Sequence, residues 1–183
     1  MKLVFLLEEP STKCLLDVLL PKILPESVEF QTIPHRGKRD LQKSIPRKLR
    51  GWNEPDDVRF IIVHDQDGKD CIRLKQELLS LCENTGKEVL VRIACQEMES
   101  WYFGDMNALA IAYDKPKLNR ISTQKKYRIP DDIPSPKEEL YKLVPEHQQI
   151  EGAKRIAPYM SIENNTSMSF NQFVTGVRRF AQR

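Results

Sequence analysis

At 183 residues, with 40% hydrophobic and 30% charged residues, the chain can bury one core, with room for a small appendage. No apolar run approaches the ~18 residues that a membrane helix needs, and a single Lys before the first apolar run makes a poor signal peptide. Four cysteines without C-x-x-C spacing argue against a zinc site and for a reducing compartment, so a cytoplasmic protein without membrane attachment is expected.

Residues 2–7 read as a buried strand because they are continuously apolar. Pro10 and Ser11 open a helix, with Ser11 as N-cap, Cys14, Leu15, Val18, Leu19 and Leu20 as its apolar face, and Pro21 and Pro25 as its end. Val28 to Ile33 alternates and reads as a second strand. A short helix follows around Asp40 to Leu49, then a loop from Asn53 to Asp57 and a third strand from Val58 to His64. Gly68 breaks the chain before a helix from Cys71 to Glu83. Glu88 to Ala94 is a fourth strand, and Glu97 to Tyr113 a helix rich in aromatic residues. The βαβαβαβα order predicts a mostly parallel, helix-covered sheet of about four strands. Beyond residue 114 prolines punctuate a polar segment, with short helices expected at Lys137–Leu143, Glu151–Ala157 and Ser169–Ala181. The expected organisation is an α/β core over 1–113 and a helical, loop-rich extension over 114–183 packed on it.

Acidic residues gather where the strands end. Glu8 and Glu9 close the first, and Asp65-Gln66-Asp67-Gly68 closes the third. Ligands of open α/β sheets sit outside these carboxyl ends. Two carboxylates at Asp-x-Asp spacing suit a hard cation such as Mg²⁺ or Mn²⁺, although Asp-x-Asp-Gly is also good turn chemistry. Glu8 is a candidate ligand or general base, with a helix N-terminus as its plain alternative. Glu97 and Glu99 follow the fourth strand. They cannot both face one way on a helix, so one is expected to ligate and the other to cap. Asp70 reads as the cap of the next helix, and Trp101 and Tyr102 as core.

Residues 35–50 carry seven Lys/Arg against one Asp, which is concentrated charge in a chain of net charge only +3. Lys38, Arg39, Arg47 and Lys48 are the candidates for holding a nucleic-acid backbone, against a merely solvated face. His35, His64 and His147 lack metal-ligand spacing. No Gly-rich phosphate loop and no nucleophile elbow is present, which disfavours a P-loop NTPase, a Rossmann dehydrogenase and an α/β-hydrolase.

These motifs resemble the Toprim-like domain, in which one strand ends in Glu and a later one in Asp-x-Asp. Leu7-Glu8-Glu9-Pro10-Ser11 stands for the first motif, with Glu9 where many members have Gly, and Asp65-Gln66-Asp67 for the second. Nearly the whole chain resembles a bacterial domain-of-unknown-function family of this group. The resemblance rests also on 92–101 (RIACQEMESW), Lys126-Tyr127-Arg128 and Ser169-Phe170. It implies a relation to the nuclease domain of overcoming-lysogenization-defect-type proteins and a partner ATPase of ABC/AAA type. It also implies a Mg²⁺- or Mn²⁺-dependent nuclease role on DNA in antiviral defence. Glu8, Asp65 and Asp67 would be catalytic, with Glu99 the preferred third acid and Glu97 in reserve. A non-catalytic module docking on the ATPase is the alternative. Primase- or topoisomerase-like chemistry is a weaker third, since its priming module or tyrosine would lie elsewhere.

Overall fold

The computed structural model describes residues 1–53 and 57–182. Strands β1 (Lys2–Leu7), β2 (Glu29–Pro34), β3 (Val58–Asp65) and β4 (Val89–Ala94) alternate with helices α1 (Pro10–Ile23), α2 (Lys38–Arg50) and α3 (Cys71–Ser80). Residues 54–56 of the loop expected at 53–57, and the terminal Arg183, lie outside the described residues. All strand pairs are parallel, in the order β2-β1-β3-β4.

Burial on both faces explains the continuous apolar run of β1. Leu3, Phe5 and Leu7 enter one core layer with Leu15, Leu16 and Leu19 of α1, whereas Val4 and Leu6 enter the other with Leu41 and Ile45 of α2 and Leu74 and Leu78 of α3. Each such side chain contributes about 1.5–3 kcal/mol by leaving water. The chain runs from β1 through α1 to β2 on one side, then through α2 back to β3 on the other. The winding therefore reverses between β1 and β3, and the crevice outside their carboxyl ends is where this architecture places ligands.

Helices α4 (Glu99–Phe103), α5 (Met106–Ala112), α6 (Lys117–Ile121), α7 (Pro136–Leu143), α8 (Gln149–Ile156) and α9 (Met168–Ala181) join the α1 layer. Trp101 is fully buried against Phe170 and Phe173, with ring centroids 5.4 and 5.1 Å away, as expected of a core aromatic. Arg59 of β3 donates from Nη1 to the Phe180 carbonyl of α9 at 2.8 Å and ties the last helix to the sheet. Arg92 on the outer strand β4 donates from Nη1 to the Val91 carbonyl and from Nε to the Gln172 carbonyl of α9, both at 3.0 Å. The guanidinium lies where a Cβ on Gly176 would stand.

Some boundaries differ from the sequence reading. Glu9, not Ser11, occupies the N-cap position of α1, because Pro10 fits the first helical position, where no amide proton is needed. Pro21 sits inside the last turn of α1, which runs on to Ile23. The helix expected over 97–113 is broken at Gly104 and Asp105. Gly104 accepts from Thr166 N–H at 2.9 Å, and a Cβ there would collide with Asn165. Asp105 caps Ala108 at 3.0 Å and accepts from Ser161 N–H at 2.8 Å. The 161–167 segment thus takes the backbone groups that a continuous helix would use. Helix α6 falls where the sequence reading had none, and Cys14, expected on the apolar face of α1, is only half-buried.

Candidate functional site

A cavity of about 300 Å³ opens at the carboxyl ends of β1 and β3 and is lined by Glu8, Glu9, Asp65, Asp67, Glu97 and Glu99, together with Gly37, Lys38, Lys137 and Gln149. The structure therefore brings the five candidate ligands read from the sequence, Glu8, Asp65, Asp67, Glu97 and Glu99, to one cleft, with Glu9 beside them. Each is positioned differently. Glu8 leaves the end of β1 and is buried. Its Oε2 accepts from Asp65 N–H at 3.1 Å and lies 3.2 Å from His64 Nδ1. His64, inside β3, is fully packed, with Nδ1 2.6 Å from the Asp65 carbonyl and Nε2 3.1 Å from Gln42 Nε2. The sequence offered no metal-ligand spacing for His64, and its contact with Glu8 was not foreseen. His35 is buried too, with Nδ1 2.8 Å from the Leu7 carbonyl and Nε2 2.5 Å from Ser44 Oγ, and it fastens the middle of α2 to β1.

Beyond the strands the β3 and β4 loops are stitched together. Gln66 N–H donates to the Ala94 carbonyl, Gln96 N–H to Gln66 Oε1, and Asp67 N–H to the Gln96 carbonyl, all within 2.9 Å. Asp67 and Gln96 adopt left-handed backbone with φ of 50° and 58°. This sharp turn carries Asp67 to Lys38, whose Nζ lies 2.8 Å from Oδ2. Asp70 caps α3 through Arg73 N–H at 2.7 Å, as expected. Glu97 does cap a helix, but a distant one: its Oε2 accepts from Lys137 N–H at the start of α7 at 2.9 Å. Glu9 accepts from Gln149 Nε2 at 3.1 Å. Glu99 is 3% exposed at the start of α4.

The electrostatics follow from this crowding. Burial raises the pKa of Glu8, with Asp67 and Glu9 adding to the rise and His64 and the Asp65 N–H opposing it. Asp65 is raised well above the carboxylate range by burial and then by Glu8, Glu99 and Asp67. Burial pushes Glu99 up to about 7, with Glu97 and Glu9 adding and Lys137 opposing. Such displaced carboxylates in a cleft make it the candidate functional site. Among the described residues no three His, Cys, Asp or Glu side chains are gathered closely enough to hold a metal as they stand. Lys38, the α7 amide, Gln149 and His64 draw the carboxylates to separate partners. The donor set itself is all oxygen and deficient in counter-charge, which is the chemistry that Mg²⁺ or Mn²⁺ fits.

Of the four cations assigned to nucleic acid, only Lys38 lines the cleft. Arg39 and Arg47 are exposed on α2, and Lys48 is half-buried. Sequence reasoning missed Lys137, Gln149 and the two stitching glutamines. Gln66 and Gln96 each sit in a named motif, so their position carried a signal. Lys137 and Gln149 come from the proline-punctuated region and carried none.

Residues 7–178 match the family profile described as Domain of unknown function (DUF4276). Among curated proteins none matches. Among solved structures, the C-terminal region of the Burkholderia pseudomallei OLD protein is similar with a TM-score of 0.60 and 13% identity over 98% of both chains. The C-terminal region of the Xanthomonas campestris pv. campestris OLD protein has a TM-score of 0.48 and 12% identity over 99% of this chain and 95% of that one. The first shows that the two share a fold, and the Toprim-like architecture expected from the motifs is the one present.

Proposed function

The chain belongs to the family described as Domain of unknown function (DUF4276), and we propose that it is a metal-dependent nuclease subunit acting with an ABC/AAA-type ATPase in bacterial defence against foreign DNA. The observation that carries this reading is the convergence of Glu8, Asp65, Asp67, Glu97 and Glu99 on one cleft at the reversal point of a Toprim-like sheet. Glu8 and Asp65, with Asp67 and Glu99, would hold Mg²⁺ or Mn²⁺, which supplies charge stabilisation at a phosphodiester. Glu8 is fixed by the Asp65 amide, so its free oxygen keeps one orientation. Glu99, with a pKa of about 7, can hold or release a proton near neutral pH. Lys38 and Lys137 bring positive charge to the rim, where a phosphate would sit. The partner ATPase and the defence role rest on the motif resemblance.

A second reading has its own support. Asp67 is ion-paired to Lys38 and Glu97 is committed to the α7 amide, as in an acidic edge that binds a basic partner surface and regulates it without turnover. The experiment that separates the two uses the wild-type chain and Asp65→Asn, alone and with a co-expressed ABC/AAA-type ATPase from the same genome. Each is assayed on supercoiled DNA, linear DNA and RNA with Mg²⁺, Mn²⁺ or chelator. The nuclease reading expects metal-dependent cleavage that falls at least about 100-fold in Asp65→Asn, with the circular dichroism unchanged. Equal cleavage by both proteins, or none by either, overturns it. A variant that then changes ATP hydrolysis by the partner supports the regulatory reading.

A further inference from the structure

Two further cavities lie among the helices that follow β4. One, of about 620 Å³, has Phe103 and Tyr127 in its wall, their rings stacked 5.8 Å apart at 9°, with amides such as Asn107, Asn119 and Asn164 around its mouth. The other, of about 650 Å³, is lined by Lys125, Lys126, Arg128, Ile129 and Pro134, with Asp132 the single acid among its described lining. Both volumes fall in the range of about 300–1,000 Å³ typical of ligand pockets. Arg128 lines both, so the two cavities adjoin there, one with amides in its lining and the other with cations. Lys126 is held by Glu139 at 2.6 Å, but among the described residues neither Lys125 nor Arg128 is in an ion pair, and both are exposed. Ile129 is 55% exposed and gives the cationic cavity an apolar surface.

The cationic cavity lies close to the cleft. Pro134 lines it and Lys137 lines the cleft, and three residues of chain span about 11 Å at most. Cations that track a backbone, beside apolar and amide surfaces that accept base faces and edges, make a groove for unpaired nucleic acid. A duplex keeps its bases stacked inside and cannot place them in such cavities.

We propose that these adjoining cavities, from Asn107 to Pro134, hold a single strand of nucleic acid and lead its backbone into the carboxylate cleft. The proposal rests on the nuclease reading and specifies the substrate as unpaired strand.

The test measures fluorescence anisotropy of labelled oligo(dT), oligo(U) and a DNA duplex of equal length. The binding partner is the full chain in chelator, wild type against Lys125→Glu/Arg128→Glu and the milder Lys125→Ala/Arg128→Ala. The wild type is expected to bind one of the single strands more tightly than duplex, and the preferred sugar identifies the substrate. Charge reversal should weaken that binding at least tenfold, and the alanine pair should lower the salt slope by about 1.4, with circular dichroism unchanged. Tighter duplex binding by the wild type, or equal single-strand affinity and slope in the variants, overturns the proposal. The two readings fail separately. Unchanged strand binding alongside cleavage lost in Asp65→Asn removes the strand-binding site and leaves the nuclease. Lost strand binding with no cleavage by the wild type removes the nuclease and leaves a binding groove.

Discussion

Glu99 and Glu139 are comparably buried carboxylates, at 3% and 6% exposure, on the packed helices α4 and α7, and their surroundings are opposite. Burial works against the charge of Glu139, yet its pKa is lowered, because Lys126 at 2.6 Å, Tyr127 Oη at 2.6 Å and Lys142 at 3.6 Å surround it. Glu99 faces Glu97, Glu9 and Asp65 instead, and burial carries it up to about 7. The same residue type is thus used in two ways. A compensated carboxylate holds α7 to the 126–127 segment. One crowded by acids, with Lys137 only partly opposing them, is displaced towards its protonated form, which sets the cleft apart from structural ion pairs.

The contrast breaks most clearly on stability against pH. Glu99 binds its proton more tightly in the folded chain than in the unfolded one, so stability is lost as pH rises from about 4.5 through 7. That displacement, at about 1.4 kcal/mol per pH unit, sets a ceiling of about 3 kcal/mol. Glu99→Gln in chelator is therefore expected to melt higher than wild type at pH 8 and alike at pH 4. A lower melting temperature at pH 8 would end the distinction between the two carboxylates. Glu139→Gln should act in the opposite sense, costing about 1–2 kcal/mol at pH 7 by denaturant unfolding, because Tyr127 and Lys126 lose a charged acceptor. Its lowered pKa means that the loss is full above the ordinary carboxylate value of 4.5, and the difference should shrink as pH falls below it and through the lowered folded value. The smallest stability effect belongs to Lys38→Ala. With Lys38 and Asp67 side chains 46% and 30% exposed, the pair contributes under about 1 kcal/mol. Removing it frees Asp67, so calorimetric titration with Mn²⁺ should show binding at least as tight as in wild type. Weaker binding would make Lys38 part of the site and not a competitor for it.

Much of the fold was legible because two-sided burial writes itself into sequence as apolar runs, as in residues 3–7 and 60–63. The acids were legible for a related reason: a carboxylate ending such a run lies at a strand's end, where a parallel sheet collects its sites. What stayed hidden depends on partners far along the chain. The break at Gly104 needs Asn165 and Thr166, the role of Glu97 needs the amide of Lys137, and the hold on Glu9 needs Gln149. A local pattern cannot register a hydrogen bond that spans forty or a hundred residues. Lys48 shows the converse, since a basic run marks charge but not which of its members a helix turns towards the protein.

Arg92 has a consequence for how this sheet behaves in a crowded solution. The strand it sits on is outermost, with carbonyls of Glu88 and Ala94 turned inward to the third strand, so alternation leaves that of Val91 on the open side. An open parallel edge of Val, Leu and Ile is a template on which another chain can add a strand. Here the arginine next in sequence folds back over that carbonyl, and Gly176 of the terminal helix leaves the space it needs. That edge thereby carries its own stopper against strand addition, and the glycine makes room for it.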